Sequence, residues 1–374
     1  MERVYVESEK GNENVACVFQ SQLDEIDVTG RVVLLKPNIV DPSIAKACSD
    51  PERLEITADL LRRRGADKIL LGDEPAHYIF EEAASHGRAI DFAAIFPGLG
   101  YDRISNVELI DIRLMGTTEF RARRINPVTA REENITTPVR DTRGMVLVSY
   151  ALPKHHGQYN YSGVSKNLMG LVPADQRRGS FHCSFFDAAL DVLRQSGCSD
   201  PTGEQVVKTA FDLAAEFAGK YADSTKTGGM DRESSPVETV YNMWLDEKLD
   251  MESMITHLEH VINAGAIAGL TEHFRKTNPQ GIYVLDGSYV LTKHEHDGVP
   301  VDTDFAMAGS NAMHVDLAAL AKLGINPVEV PYLFRCGYKA ADILGNMGKM
   351  LYTGSLLQKE SFVDSHGFEF TRIK

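Results

Sequence analysis

The chain has 374 residues, 43% hydrophobic and 25% charged, and its 39 Lys and Arg stand against 53 Asp and Glu for a net charge of −14. This is the composition of an ordinary globular protein, long enough for more than one core. The acidic balance excludes general nucleic-acid binding and docking on an anionic membrane, while leaving room for a local basic pocket.

The opening Met1-Glu2-Arg3-Val4-Tyr5-Val6-Glu7 lacks the apolar core of a signal peptide, and no apolar run reaches the ~18 residues of a membrane span. No membrane partner is therefore expected, and the expected location is the cytoplasm. The first strong pattern is Val32–Leu35, a β-branched apolar run that predicts a strand. Pro51–Arg64 then carries Leu54, Ala58 and Leu61 at helical spacing, with Ser49 or Asp50 to cap it and Gly65 to stop it. Lys68–Leu71 is the next strand. Strand, helix, glycine and strand make a βαβ unit and imply a parallel sheet. Both strands end in polar residues, Lys36-Pro37-Asn38 and Gly72-Asp73-Glu74, at the ends that face the ligand crevice of such a sheet.

Residues 117–144 alternate weakly and predict a meander or hairpin leading into a buried strand at Met145–Ser149. Phe186–Leu193, Glu204–Ala222 and Val237–Phe274 then carry a helical period, with Ser224–Met230 read as a loop. Strand character returns at Ile282–Leu285. A Gly/His/Asp loop, Asp304–Ala308 and a helix over Ala312–Leu323 follow. The fold class expected is α/β: two-lobed, with a mostly parallel sheet, βαβ units and a helical insertion. The boundaries are an N-terminal α/β lobe at 1–185, a helical insertion or cap at 186–276, and a C-terminal α/β lobe at 277–374.

Chemistry-bearing residues concentrate at 150–182, directly after the Met145 strand. Pro153 stiffens the exit from that strand ahead of Lys154, His155 and His156. Histidine titrates near neutral pH and serves as acid, base or metal ligand. Lys166, between Gly163 and Ser165 on one side and the apolar Leu168–Val172 run on the other, suits an anion holder or a base shifted by burial. Asn167 adds a donor, and His182 falls in the same loop system. Asp73, with Glu74 and His77 beside it, either caps the next helix or binds a metal or orients a histidine. Asp286-Gly287, and His294-Glu295-His296-Asp297 beyond it, resemble a metal-ligand set as much as a solvated turn. Asp316 lies at a helix start, where an acid usually serves the helix dipole. The five cysteines, Cys17, Cys48, Cys183, Cys198 and Cys336, form no Cys-x-x-Cys pair, so reduced thiols and no iron–sulfur cluster are expected.

Taken in order, Lys36-Pro37-Asn38, Gly65-Ala66 with Gly72-Asp73, Pro153-Lys154-His155-His156, Ser162-Gly163 with Lys166-Asn167-Leu168-Met169-Gly170, Asp286-Gly287, and His314-Val315-Asp316 with Leu323-Gly324 resemble the DUF362 family. The resemblance spans roughly residues 30–335, with the helical block at 186–276 as an addition. Many members of that family carry a ferredoxin-like iron–sulfur segment, whose cysteines this chain lacks. A more distant resemblance is to the nickel-pincer lactate racemases, whose His-x9-Lys-x15-His pattern matches His156, Lys166 and His182, with Tyr161-Ser162-Gly163 between the first two. That resemblance implies a proton-exchanging His156, a Lys166 that tethers the pincer nucleotide, a His182 that ligates nickel, and His77 as the opposing base. Val164-Ser165 departs from the glycine-containing pair that precedes the lysine in those enzymes.

Residues and resemblances together lead us to expect proton transfer on a small carboxylate- or carbonyl-bearing substrate: isomerisation, racemisation or elimination. His156, Lys166 and His182 are the expected catalytic residues. Lys36, Asn38, Asp73, Lys154, Asn167 and Asp286 are the candidates for holding substrate or cofactor. His182 and His155 are the candidate ligands for a divalent metal. The alternative is a non-catalytic metal or cofactor carrier, or a redox partner without its own cluster. The amphipathic helices permit a homo-oligomer.

Overall fold

The computed structural model describes residues 2–8, 13–76, 79, 91–156, 159–227, 250–293, 298–325, 330, 332–333, 361–363 and 368–372. The strands, in chain order, are β1 (Glu2–Ser8), β2 (Val32–Lys36), β3 (Lys68–Leu71), β4 (Glu108–Leu109), β5 (Thr117–Ile125), β6 (Glu132–Arg140) and β7 (Val146–Ala151). They continue with β8 (Lys154–His156), β9 (Asn160–Ser162), β10 (Ile282–Thr292), β11 (Val299–Gly309), β12 (Ser361–Val363) and β13 (Phe368–Arg372). The helices are α1 (Glu13–Leu23), α2 (Pro51–Arg63), α3 (Phe92–Gly98), α4 (Val164–Asn167), α5 (Ala174–Phe181), α6 (Phe185–Gln195), α7 (Gly203–Thr227), α8 (Met251–Thr277) and α9 (Ala312–Leu323).

The fold is α/β. A mostly parallel central sheet runs in the order β12-β13-β1-β11-β10-β7-β2-β3-β4, and β8 and β9 extend it beside β10. Strands β10, β7, β2, β3 and β4 are parallel, and one register row crosses all five through Ile282, Val148, Leu35, Leu71 and Leu109. Their near-continuous apolar runs follow from burial on both faces, as parallel strands require. Alternate residues serve opposite layers. Leu34 and Leu147 pack with α8 and α9 on one face, whereas Val33, Leu35 and Val148 pack with α1 and α2 on the other. Strands from 1–185 and from 277–374 thus share one sheet.

The predicted βαβ unit is present, with Asp50 as the cap of α2: its side chain accepts from Glu52 N at 2.8 Å. Gly65 ends the helix with φ 85°, a conformation glycine adopts without penalty. The 117–144 segment forms the β5–β6 hairpin, and α8 lies across it. Gly265 and Gly269, one turn apart, make that seat, since a Cβ on either would collide with Arg123 O or Ala122 Cβ. Helices α6, α7 and α8 share a further apolar cluster built on Phe185, Phe217, Leu258 and Ile262.

Two sequence expectations are corrected, and a third falls partly outside the described residues. Ser224–Thr227 belongs to α7, because the helical pattern carries through the small polar residues. Residues 237–249, predicted helical, lie outside the described residues, and α8 begins at Met251 behind an Asp250 cap. Asp286-Gly287 does not open a loop: β10 continues to Thr292 through a register shift between Gly287 and Tyr289. Gly287 is needed there because the Phe305 ring occupies the space of a side chain. Strand β1 and helix α1 had no strong sequence signal. Among the described residues, no helix is long and apolar enough to cross a membrane.

Candidate active site

The C-terminal ends of β2 and β3 meet the chain between β8 and α6 around a cavity of about 110 Å³. Lys36 and Asn38 come from the first strand end, and Asp73 and Glu74 from the second. His156 and Ser162 come from β8 and β9, Lys166 and Asn167 from α4, Met169 and Gly170 from the turn after it, and Arg177 and His182 from α5 and its C-terminal cap.

Lys36 is fully buried and lies 2.8 Å from Asp73 Oδ1. Its ammonium also donates to Pro37 O and Asn167 Oδ1, each at 3.0 Å. Burial pulls its pKa down, and the Asp73 carboxylate works against that shift. Three acceptors for three N–H bonds make Lys36 a fixed charge at the cavity wall rather than an amine with a lone pair to share. Asp73 is anchored in turn, accepting from Ile39 N and Glu74 N at 2.9 Å each. Gly170 closes over this pair, where a Cβ would collide with both side chains.

Arg177 is the second internal clamp. Its Nε donates to Val172 O at 2.7 Å, and its Nη atoms donate to Glu74 O at 3.0 Å, Pro75 O at 2.5 Å and Gly170 O at 3.0 Å. Glu74 lies 3.4 Å from Arg177 Nη2 and 3.3 Å from Arg140 Nη2, and accepts from Ala174 N at 3.1 Å. The guanidinium thus ties the β3 exit to the α4–α5 turn by matching its planar fork to backbone carbonyls. Among the described residues, the cavity wall carries Lys36, Lys166 and Arg177 against Asp73 and Glu74, a formal excess of one positive charge with neutral histidines.

His156 is buried and His182 half-buried, and their rings stack at 6.2 Å between centroids. Tyr159 packs against both, with centroids at 5.2 and 6.1 Å, and its hydroxyl donates to Phe181 O. Lys166 Nζ stands 5.5 Å from the centre of the same Tyr159 ring, within cation–π range. His156, Lys166 and His182 therefore converge on one cavity.

Asn167 lines the cavity, but both of its amide protons are engaged, by Ser149 Oγ at 3.0 Å and Tyr150 O at 3.1 Å. Its oxygen accepts from Lys36 and from Asn38 Nδ2 at 2.9 Å. Lys154 does not line the cavity. It is buried behind Asn38, donating to Asn38 Oδ1 and to Ala47 O at 2.6 Å. His155 faces solvent, because alternate residues of β8 point opposite ways and His156 takes the buried side. Asp286 is buried away from the cavity, where it accepts from Arg53, from Tyr150 Oη at 2.8 Å and from Ser288 N at 3.1 Å. His77, His294 and His296 lie outside the described residues. Among the described residues, no three His, Cys, Asp or Glu side chains come together as a metal set.

Sequence reasoning missed Arg177, whose signal was its place on the buried face of a helix otherwise exposed at Arg178 and Gly179. It also missed His260, buried on α8 and stacked on Tyr159 at 6.3 Å. Asp316 does not serve its own helix: Asn311 caps α9, accepting from Met313 N at 3.0 Å. Asp316 instead accepts from Val164 N at 2.9 Å and Ser165 N at 3.0 Å, across to the start of α4.

The model of the family described as "Domain of unknown function (DUF362)" matches residues 33–321, a span that holds every cavity residue just named. The chain belongs to the DUF362 family. No match was found among curated proteins or among solved structures. Within the family span, the short motifs at 36–38, 72–73, 162–170 and 314–316 are the ones that build this cavity and its supports. None of these comparisons supports the racemase resemblance.

Proposed function

We propose that this DUF362 protein is an enzyme that moves a proton at the carbon next to the carboxylate or carbonyl of a small substrate, giving isomerisation, racemisation or elimination. The observation that carries the reading is the convergence of His156, His182 and Lys166 on one small cavity whose described lining residues carry a formal excess of positive charge. The positive balance of the described lining residues in a partly desolvated cavity favours an anion. In this reading Lys166 receives the substrate carboxylate. His156 takes the proton, and His182 returns it or steadies the charge that develops. Lys36 contributes a fixed positive potential, while Asn167 holds Lys36 in place instead of donating to substrate.

Isothermal titration with two- to five-carbon 2-hydroxy, 2-oxo and 2-amino acids tests the binding half of the proposal. Wild-type protein is expected to bind at least one of them. Lys166→Met should weaken that binding about ten- to a hundredfold, the value of a charge-assisted contact. Unchanged affinity in Lys166→Met would contradict the assignment. The rival reading, a metal or cofactor carrier, predicts instead that the purified protein retains a divalent metal through His156 and His182 and binds none of these acids.

A further inference from the structure

We infer that Asp316 is a positioning residue for the cavity: from α9 it fixes the start of α4 and so sets where Lys166 and Asn167 stand. The inference rests on the reading that the cavity is the substrate site. Helix α4 is a single turn, in which Asn167 N donates to Gly163 O at 3.0 Å. One turn has no stability of its own, because nucleating a helix fixes several residues for a single hydrogen bond. Something outside it must hold its first amides, and no side chain at its N-terminus caps it.

Asp316 does so from a distant part of the chain. The residue is fully buried, one carboxylate oxygen accepts from Val164 N and the other from Ser165 N, and Tyr161 Oη lies 3.3 Å from the first. Gly163 leaves room for it, since a Cβ there would occupy the position of Asp316 Oδ1. Two residues on from these amides come Lys166 and Asn167, and Asn167 in turn accepts from Lys36. An asparagine at 316 would offer one acceptor and turn an amide N–H toward a backbone N–H, so one of the two backbone bonds would be lost.

The test uses the full chain with Asp316→Asn, Gly163→Ala and Tyr161→Phe, and Asp250→Ala as a control that removes the cap of α8. Three readouts are followed: hydrogen exchange at Val164 and Ser165, the pH profile of Lys166 acetylation by acetic anhydride read by mass spectrometry, and titration with the carboxylates named above. In Asp316→Asn, exchange at the two amides is expected to rise at least tenfold and the Lys166 profile to shift, with carboxylate affinity falling about tenfold. Gly163→Ala should act in the same direction, and Tyr161→Phe more weakly. Asp250→Ala should leave the Lys166 profile at its wild-type position. A wild-type Lys166 profile in folded Asp316→Asn would overturn the inference. If Asp316→Asn does not fold, wild-type profiles in both Gly163→Ala and Tyr161→Phe overturn it equally. Should the wild type bind no carboxylate, the functional proposal fails, while exchange and acetylation still decide the role of Asp316.

Discussion

The buried Lys36–Asp73 pair is where single residues matter most. Breaking a buried pair leaves an uncompensated charge, so Lys36→Met is expected to cost about 3–5 kcal/mol of unfolding free energy. Asp73 would also lose the partner that balances its place beneath Gly170. Urea denaturation measures the loss, and a cost below about 1 kcal/mol would show the pair to be dispensable. Much of this layer was legible in the sequence. Lys36, Asn38 and Asp73 were found because polar residues at the C-termini of parallel strands face a crevice, and His156, Lys166 and His182 because of their spacing. Two roles were not legible. Asn167 and Lys154 read as substrate-facing donors, but their hydrogen bonds run to Ser149, Tyr150, Ala47 and Asn38. Such partners come from strand pairing and loop return, and spacing along one segment carries no record of them. Asp286 is the same case, since nothing local announces that Arg53 of α2 reaches it.

Among the elements, α4 and its support from α9 yield a pH dependence. Desolvation pushes the Asp316 carboxyl up from 3.8 to about 6, against the hydrogen bonds that favour its charged form. Below pH 3.8 the group is protonated folded and unfolded, and its contribution to stability is complete. Between 3.8 and about 6 only the folded state holds the proton, so stability falls as pH rises through this window, by about 3 kcal/mol in total. Denaturation between pH 4.5 and 7 should show this component in the wild type and its absence in Asp316→Asn, and equal slopes would refute it. The seat of α8 on the β5–β6 hairpin gives a second element-level expectation. Gly269→Val forces a branched side chain against Ala122, and overpacking of that kind costs about 1–3 kcal/mol. A thermal midpoint within a degree of wild type would show that the helix can shift to accept it. Helix positions were readable from period and caps, as with Asp50 and Gly65. Short elements such as α4, β8 and β9 were not, because a turn of four residues or a strand of three has no period to detect.

For the molecule as a whole, the decisive feature is that chain ends share a sheet. β10, from the last third, lies parallel to β7, and β11 pairs with β1 at the start of the chain. A fragment of residues 1–185 would expose the β7 edge that β10 covers and lose the apolar layer contributed by α8 and α9. Such a fragment is expected to lack cooperative unfolding by circular dichroism, and a sharp transition would show an independent N-terminal unit. The same topology explains why the cavity depends on distant segments. Strand ends at 36–38 and 72–74 supply its fixed charges, the 154–182 segment supplies its histidines and Lys166, and α9 supplies the carboxylate that holds Lys166 in register. The measurement that bears most directly on this account is proton NMR of small carboxylates incubated with the protein in D2O. Loss of the signal from the C2 hydrogen of at least one 2-hydroxy or 2-amino acid, or from the C3 hydrogens of a 2-oxo acid, at a rate above that without protein, is predicted with wild-type protein, and its abolition with His156→Gln. Exchange that persists unchanged in His156→Gln, or no exchange with any of these acids, would contradict it.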